Sequence, residues 1–263
     1  MSTLNVALIQ SELHWHDAQR NRDRFDRMFE ELSEPCDLIV LPEMFSTGFT
    51  MSSKTQAEAM SGPTLSWMKA NAARLSAVVC GSIIVEEGGA FYNRFIWAQS
   101  DGGLCTYDKR HLFRMADEHR HYSAGGERML LALQGFRVFP QVCYDLRFPV
   151  FSRNRGDYDL AIYVANWPAP RALAWNALLR ARAIENQCYV VGVNRIGTDG
   201  NAVDYAGDSA VFAFDGTSLL AAGSAGGAFR VTLDLDALRA YREEFPAWRD
   251  ADEFDISHGG KRQ

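Results

Sequence analysis

Short apolar runs alternate with amphipathic segments along most of the chain, and this alternation constrains the fold more than any other feature of the sequence. Residues 4–10 and 37–41 are typical of buried strands, whereas residues 17–32 have the apolar spacing of a helix with Asp17 as its N-cap. The same patterns predict further strands over residues 77–85, 95–99, 104–107, 137–143, 159–165, 189–195, 210–214, 218–221 and 229–233, and further helices over residues 64–75, 172–185 and 236–241. Such alternation indicates the α/β class.

Two tight turns indicate that the strands are not all parallel. Asp101-Gly102-Gly103 and Asp215-Gly216 each separate two apolar runs and are typical of hairpins. We therefore predict mixed sheets covered by helices. The 263 residues, 47% of them hydrophobic, are enough to bury a large core, and no repeat or linker divides them, so we expect one domain over residues 1–263.

The charge balance limits the partners of the chain. Lys and Arg number 27 against 33 Asp and Glu, a net charge of −6, which argues against nucleic acid or an anionic membrane as a partner. A small anionic substrate remains compatible, because a few local cations suffice to bind it. No apolar run is long enough to span a bilayer, and the first residues lack the basic start and apolar run of a signal peptide.

The cysteines are odd in number and scattered, which favours reduced thiols and a cytoplasmic protein. They are Cys36, Cys80, Cys105, Cys143 and Cys188. Cys143 alone follows a long apolar run and precedes a corner of the chain, a turn or short helix that we predict to begin near Pro149. Free backbone N–H groups at such a corner can lower the pKa of a thiol and hold an oxyanion. The alternative for Cys143 is a packed core cysteine, the reading that we give to the other four.

A thiol with a pKa of about 8.5 needs a base or a cation to react at neutral pH. Lys109 and Glu43 each follow a strand-like run and stand between large apolar residues. At about 4 Å and an effective dielectric of about 20, the Lys109 charge would lower the thiol pKa by about three units before opposing effects. Glu43 would raise that pKa, but it could carry the proton. The alternative is that both are solvated or paired surface charges.

A cysteine–histidine pair is the rival arrangement, and His111 beside Lys109 is its candidate, although a packed or capping histidine is the favoured interpretation. The remaining histidines are His14, His16, His119, His121 and His258. Their paired spacing at 14/16 and 119/121 could suit a metal, but no cysteine or carboxylate spacing supports one. We expect neither a metal nor a cofactor.

The three polar segments, taken in order, resemble those of the nitrilase, or carbon–nitrogen hydrolase, superfamily. Glu43 follows a buried strand, Lys109 begins a Lys-Arg-His-Leu-Phe segment, and Cys143 is followed by Tyr-Asp-Leu-Arg-Phe-Pro. The resemblance extends over nearly the whole chain and includes Asn166-Trp167-Pro168 after a strand. It implies a four-layer αββα sandwich with two mixed sheets.

The resemblance also implies a mechanism. Cys143 would attack a carbonyl or nitrile carbon to form a thioester, and Glu43 would act as general base and acid. Lys109 and the backbone N–H of Tyr144 would stabilise the tetrahedral intermediate. A second glutamate that orients the substrate amide and the lysine would be Glu118, with Glu127 after Gly-Gly as the competing candidate.

Within that superfamily, the chain is most similar to the omega-amidase branch, which implies ammonia release from a 2-oxo acid omega-amide such as 2-oxoglutaramate or 2-oxosuccinamate. The substrate carboxylate needs a cation, for which Arg147 and Arg171 are candidates. The alternatives are an internal ion pair of Arg147 with Asp145 and a solvated helix start for Arg171. Asn166 and Trp167 could line the pocket, although Trp167 also suits a core or a subunit interface.

Other substrates and a different class of function remain open. Relatives of this type cleave nitriles, carbamoylated amines, aliphatic amides or deaminated glutathione. A ligand-binding protein without activity is a third possibility, which the retention of Glu43, Lys109 and Cys143 disfavours. The resemblance further implies a homodimer or larger homo-oligomer, with the helix around residues 180–185 contributing to packing.

Overall fold

The computed structural model describes residues 2–32 and 34–256, and two six-stranded mixed sheets form its centre. The predicted domain over residues 1–263 therefore includes some residues outside the described ranges. His258 is one of them. The first sheet has the order β14-β1-β2-β3-β4-β5. Its strands are β1 (Thr3–Gln10), β2 (Leu38–Val40), β3 (Val78–Glu87), β4 (Ala90–Ala98), β5 (Leu104–Asp108) and β14 (Gly227–Asp234). The neighbours β1, β2 and β3 are parallel, and the other pairs are antiparallel.

The second sheet has the order β13-β12-β9-β8-β7-β6. Its strands are β6 (Leu131–Leu133), β7 (Phe136–Val142), β8 (Leu160–Ala165), β9 (Tyr189–Asn194), β12 (Ala210–Phe212) and β13 (Ser218–Ala221). Here β7, β8 and β9 are parallel and the outer pairs are antiparallel. A separate hairpin of β10 (Ile196–Thr198) and β11 (Asp204–Ala206) follows β9.

Seven helices occur in the described ranges. They are α1 (Ala18–Glu30), α2 (Ser53–Gln56), α3 (Pro63–Leu75), α4 (Glu118–His121), α5 (Pro149–Ser152), α6 (Ala172–Asn186) and α7 (Leu235–Glu244). None of these helices is long and apolar enough to cross a membrane.

The alternation of side chains along each strand of the first sheet builds two apolar layers. In β1, Leu4, Val6 and Leu8 face the core shared with the second sheet, whereas Ala7 and Ile9 face the core that α1 and α3 cover. The second sheet packs α6 on its other face. The result is the predicted four-layer αββα sandwich, and the fold prediction is confirmed.

Most predicted elements are present, with shifted ends. Asp17 caps α1 by accepting a hydrogen bond from the Arg20 backbone N–H at 3.0 Å, as predicted. Both predicted hairpins connect antiparallel neighbours. Strands β6, β10 and β11 escaped prediction because each has only three residues, too few to display a period.

Close packing of α6 on β9 depends on a glycine. A Cβ at Gly192 would lie 2.4 Å from Leu179 Cδ1 and 2.9 Å from Trp175 Cζ2, and both neighbours are fully buried. The helix therefore approaches the sheet more closely than any larger residue would permit.

We predict that Gly192→Ala lowers the free energy of unfolding by about 1–3 kcal/mol, because overpacking a filled core forces its neighbours to shift. Urea denaturation measures this change. Ser218→Ala, on an exposed position of β13, is the control and should change stability by less than about 0.5 kcal/mol. An unchanged midpoint for Gly192→Ala would show that α6 and β9 pack less tightly than described.

Candidate active site

Cys143 stands at the corner that the sequence predicts, directly after β7. Its φ of +46° is in the left-handed region, and it begins a 3-10 turn, Cys143–Arg147. Residues other than glycine adopt this conformation at a cost of about 1–3 kcal/mol, and such strain is concentrated at functional sites. The side chain is 9% exposed and lies at the floor of a cavity.

A buried carboxylate, Asp145, fixes this turn. It accepts hydrogen bonds from the Val142 backbone N–H at 3.0 Å and the Tyr107 hydroxyl at 2.8 Å. Its other oxygen accepts from the His111 backbone N–H at 2.9 Å and lies 2.7 Å from His111 Nδ1. The turn that carries the thiol is therefore tied to the segment that follows β5.

Glu43 lies just beyond β2 and is fully buried. Its Oε1 accepts from the Lys109 ammonium at 2.8 Å and from Asn93 Nδ2 at 2.7 Å, and its Oε2 accepts from the Asn166 backbone N–H at 2.8 Å. Together with burial, the negative charge of its carboxylate raises the pKa of the Cys143 thiol. Glu43 therefore connects the ends of the two sheets.

Lys109 follows the last residue of β5 and is 1% exposed. Besides Glu43, its ammonium donates to both oxygens of Glu118 at 3.0 Å and lies 5.2 Å from the centre of the Phe49 ring. The interpretation of Lys109 and Glu43 as solvated surface charges is therefore wrong.

The structure separates the two candidates for the second glutamate. Glu118 begins α4, is fully buried, and accepts from the Phe113 backbone N–H as well as from Lys109. Glu127 is exposed and does not line the cavity. Only Glu118 joins the cluster of Glu43 and Lys109.

Asn93 on β4 is a member of the cluster that the sequence reasoning missed. Its amide nitrogen donates to Glu43 at 2.7 Å and reaches Glu118 Oε1 at 3.3 Å, while its oxygen accepts from the Ser82 hydroxyl at 2.8 Å. A signal was present, since an asparagine within an apolar strand is buried and must find partners.

Burial and charge act against each other on the cluster. Burial would lower the pKa of Lys109, but the negative charges of Glu118 and Glu43 outweigh burial and raise that pKa. Burial raises the pKa of Glu118, with Glu43 adding to the rise and Lys109 opposing it. Lys109 therefore remains an ammonium at all pH values at which the fold is expected to exist.

The net effect of burial and charge on the Cys143 thiol is to raise its pKa. Burial and the adjacent Glu43 raise the pKa of Cys143 well above its ordinary value, and Lys109 lowers it only partly. Lys109 lowers the thiol pKa and Glu43 raises it, each as predicted, but burial, which the prediction did not include, makes the net shift upward. The thiol is thus held protonated beside a carboxylate that can accept its proton.

The cavity above Cys143 has a volume of about 410 Å³. Its lining includes Lys109, Tyr144, Arg147, Asn166, Trp167 and Arg171, which the sequence singled out, and Phe49, Met51, Phe113, Met115, Asp199, Asn201, Val203 and Tyr205, which it did not. The Cys143 Sγ lies 3.9 Å from the Asn166 carbonyl oxygen. Trp167 faces this cavity at its edge, packed against Trp175.

Hairpin β10–β11 forms one wall of the cavity. Tyr205 on β11 donates to Asp199 at 2.9 Å, and the other oxygen of Asp199 accepts from the backbone N–H groups of Asn201 and Val203. These residues escaped prediction because the wall comes from a short hairpin that lies outside the two main sheets.

Neither Arg147 nor Arg171 has the purely structural role that was the alternative to binding a substrate carboxylate. Arg147 does not pair with Asp145, whose oxygens are taken by Tyr107, His111 and Val142, so the internal ion pair is wrong. Its guanidinium lies 4.9 Å from the centre of the Trp167 ring. Arg171 lines the cavity mouth instead of being a freely solvated helix start.

His111 and His16 have structural contacts. His111 stacks on Phe148 with ring centres 3.9 Å apart and contacts Asp145, as the favoured interpretation expects. His16 contacts the Thr50 hydroxyl at 2.9 Å. Within residues 2–32 and 34–256, no group of three or more histidine, cysteine and acidic side chains is arranged to hold a metal ion.

An αββα sandwich in which a cysteine and a lysine line a cavity, with a glutamate buried against the lysine, is typical of hydrolases that act on carbon–nitrogen bonds. The family model for carbon–nitrogen hydrolases matches residues 5–243. The chain belongs to the carbon–nitrogen hydrolase family, and the predicted resemblance to that family is confirmed.

Individual relatives agree with this assignment. The chain is 50% identical to omega-amidase YafV of Escherichia coli K12 over 256 residues, covering 97% of this chain and 99% of the relative. It is 31% identical to a 2-oxoglutaramate amidase of Bacillus subtilis, covering 93% and 96%. A crystal structure of a carbon–nitrogen hydrolase superfamily protein from Xanthomonas campestris, which has an arsenic adduct in its active site, superimposes with a TM-score of 0.96 at 46% identity, covering 98% and 100%.

We predict that Cys143 is still a thiol at pH 8 and that Glu43→Gln lowers its pKa, because the negative charge next to sulfur is removed while Lys109 remains. The thiolate absorbance near 240 nm, measured against Cys143→Ala over a pH series, reports this titration. A thiolate step below pH 7 in the unmodified protein would contradict the buried arrangement.

The two glutamates offer a matched pair of variants. Glu118→Gln removes one of the two charges that hold Lys109 and should lower kcat for amide hydrolysis on the order of 100-fold. Glu127→Gln changes an exposed side chain of the same type and should leave kcat within about twofold. Equal effects of the two substitutions would remove Glu118 from the site.

Proposed function

We propose that this protein is a thiol-dependent amidase that releases ammonia from a small 2-oxo acid omega-amide, 2-oxoglutaramate or 2-oxosuccinamate. The observation that carries the proposal is the Cys143 thiol at the floor of a cavity that Lys109 also lines, with the Lys109 ammonium buried between the carboxylates of Glu43 and Glu118. The omega-amidase and 2-oxoglutaramate amidase among its relatives support the choice of substrate.

In the first half-reaction, the Cys143 thiol gives its proton to Glu43 and sulfur attacks the amide carbon. The carbonyl oxygen takes the negative charge, which the Lys109 ammonium and the Tyr144 backbone N–H stabilise. The C–N bond then breaks, Glu43 returns the proton to the leaving nitrogen, and ammonia departs. The acyl group remains on sulfur as a thioester.

In the second half-reaction, water attacks the thioester carbon and Glu43 accepts the proton of the water. The C–S bond breaks, the acid product leaves, and sulfur recovers its proton from Glu43. The high pKa of the thiol suits this exchange, because the resting site holds no exposed thiolate and the thiol loses its proton only when Glu43 accepts it.

Glu118 serves this chemistry through Lys109. Its two oxygens and Glu43 Oε1 hold the ammonium from two directions, at 2.8 to 3.0 Å. Fixing the ammonium in advance places its charge where the oxyanion develops, which is more effective than recruiting a mobile cation. Glu118 is therefore a positioning residue that can also orient the substrate amide.

The cavity suits a short anionic amide. A volume of about 410 Å³ falls in the lower part of the range for small-molecule sites, roughly 300–1,000 Å³. Tyr144, Asn166 and Trp167 line it beside the thiol, and Arg147 and Arg171 provide cations for a carboxylate. The retained cluster also makes a purely ligand-binding role the weaker hypothesis.

We further propose a cytoplasmic protein that forms a homodimer or larger homo-oligomer and has one domain. The five cysteines are free thiols, which supports a reducing compartment. Leu173 and Ile184 on α6 are 86% and 50% exposed, and apolar side chains of this kind suit a subunit contact.

The direct test is ammonia release from 2-oxoglutaramate. The unmodified protein should release ammonia, and Cys143→Ala should reduce the rate on the order of 1,000-fold or more, because no other cysteine lines the cavity in the described part of the chain. Cys105→Ala, which changes a partly buried cysteine away from the cavity, is the control and should keep the rate. Retention of the unmodified rate by Cys143→Ala would disprove the mechanism.

A substrate panel at equal enzyme concentration tests the substrate class. We expect 2-oxoglutaramate and 2-oxosuccinamate to be hydrolysed with higher kcat/KM than aliphatic amides, nitriles, carbamoylated amines and deaminated glutathione. Equal or higher kcat/KM for one of these other classes would reject the omega-amide assignment while leaving the family unchanged.

A further inference from the structure

Arg195 is a buried cation without a carboxylate partner in the described part of the chain. It directly follows β9 and is fully buried. The other buried arginines of the described ranges each have a carboxylate oxygen within 3.7 Å; they are Arg22, Arg94 and Arg182. Arg195 donates instead to three backbone carbonyls, and its Nη1 has no hydrogen-bond partner among the described residues. Because an unpaired charge at this depth is costly, its presence requires an explanation.

Tyr205 connects this cation to the cavity above Cys143. The Arg195 Cζ lies 4.6 Å from the centre of the Tyr205 ring, and Tyr205 lines the cavity. The Tyr205 hydroxyl donates to Asp199 Oδ2 at 2.9 Å, and Asp199 lines the cavity as well. Arg195 and Asp199 therefore contact the same aromatic side chain of the cavity wall.

Asp199 places a negative charge in that wall. Its Oδ1 accepts from the backbone N–H groups of Asn201 at 2.8 Å and Val203 at 3.0 Å, so both of its oxygens face donors, as an ionised carboxylate requires. The cluster at the cavity floor is also negative, because it has two carboxylates for the one ammonium of Lys109. An anionic ligand is therefore repelled by the wall and by the floor, and the low dielectric of a cavity strengthens such repulsion.

The charges of Arg195 and Asp199 act in opposite directions on Tyr205. Burial raises the pKa of the Tyr205 hydroxyl, Asp199 raises it further, and Arg195 lowers it. Burial lowers the pKa of Arg195 itself, and Asp199 is among the groups that oppose this effect. A guanidinium starts from so high a pKa that it keeps its proton here. The wall thus contains a cation and an anion that oppose each other's field.

We propose that Arg195 offsets the negative charge of Asp199 from behind the cavity wall and thereby allows the site to accept anionic amides. The preference for an anionic amide rests on the proposed function, whereas the charge balance of the cavity does not. Arg195 does not line the cavity, in contrast to Arg147 and Arg171, so it acts through Tyr205 and Asp199 without touching the ligand.

Alkylation of Cys143 by iodoacetate and by iodoacetamide measures the charge of the cavity without any turnover. Both reagents form an S–C bond to sulfur with loss of iodide, but only iodoacetate is anionic. The ratio of the two rates therefore cancels changes in the reactivity of the thiol. Arg195→Met keeps a long side chain against Tyr205 and removes the charge. It should lower the iodoacetate-to-iodoacetamide ratio about fivefold or more, with peptide mass mapping used to count modified Cys143.

Asp199→Asn tests whether the two charges act on each other, because it keeps the shape and removes the anion. The remaining oxygen can still accept from the two backbone N–H groups, and the new amide can donate to the Tyr205 hydroxyl. In the Arg195→Met background, Asp199→Asn should restore the ratio to within about twofold of the unmodified protein. A ratio that stays low would overturn the inference.

Asp199→Asn in the otherwise unmodified protein keeps the test decisive if Arg195→Met does not fold. With Arg195 present and its opposing anion removed, the iodoacetate-to-iodoacetamide ratio should rise about fivefold. An unchanged ratio would show that the charge of Asp199 does not act on an anion in the cavity, and would also overturn the inference.

Arg128 offers a matched control for Arg195. Its guanidinium also lies over an aromatic ring, with Cζ 4.5 Å from the centre of Phe139, and donates to two backbone carbonyls. It differs in being paired with Asp157 and in lying away from the cavity. Arg128→Met should leave the alkylation ratio unchanged. Equal losses in the two methionine variants would give Arg195 a merely structural role.

Two amides of equal chain length test the consequence for catalysis. Glutaramate ends in a carboxylate where pentanamide ends in a methyl group. Arg195→Met should lower kcat/KM for glutaramate about fivefold or more and change the value for pentanamide by less than about twofold, and Asp199→Asn in the same protein should recover the loss. If the unmodified protein hydrolyses no amide, the proposed function fails, while the alkylation ratio still decides the role of Arg195. Equal losses for both amides without recovery would contradict that role.

Discussion

The ammonium of Lys109, buried between two carboxylates, is the interaction on which the rest of the site depends. An isolated ammonium at this depth would cost several kcal/mol in lost hydration, so the cation requires paired and hydrogen-bonded partners. Glu43 and Glu118 supply them, and the pKa of Lys109 is raised in spite of its burial. Removing either carboxylate would leave the buried ammonium with one carboxylate partner instead of two. The three residues therefore form one unit.

The Cys143 thiol reaches that unit because the two sheets meet face to face. Lys109 and Glu43 follow strands of the first sheet, and Cys143 and Asn166 follow the parallel neighbours β7 and β8 of the second. The Asn166 backbone N–H donates to the Glu43 carboxylate, and the Asn166 side-chain amide donates to the Glu43 backbone carbonyl oxygen. These two hydrogen bonds join the edges of the two sheets. The placement of the thiol near the carboxylate thus depends on how the sheets pack, and the core of large side chains between them supports the chemistry indirectly.

The sequence predicts much of this arrangement because strand ends and turn residues leave local marks. Glu43, Lys109 and Cys143 each follow an apolar run, and the corner at Cys143 is visible before the structure is known. Asn93, by contrast, acquires its role only through contacts between residues far apart in the chain. The net upward shift in the pKa of the Cys143 thiol cannot be predicted from the sequence for a similar reason. This shift depends on the depth of burial, which a local pattern does not measure. The choice between Glu118 and Glu127 also required the position of α4 against Lys109.

Rapid acid quenching of a reaction with 2-oxoglutaramate, followed by peptide mass mapping, shows whether Cys143 carries the acyl group between the two half-reactions. We expect a thioester-linked acyl group on the peptide that contains Cys143, formed together with the first release of ammonia and lost on incubation with hydroxylamine. Ammonia release with the acyl group on another residue, or with Cys143 unmodified at every quench time, would show that Cys143 is not the nucleophile.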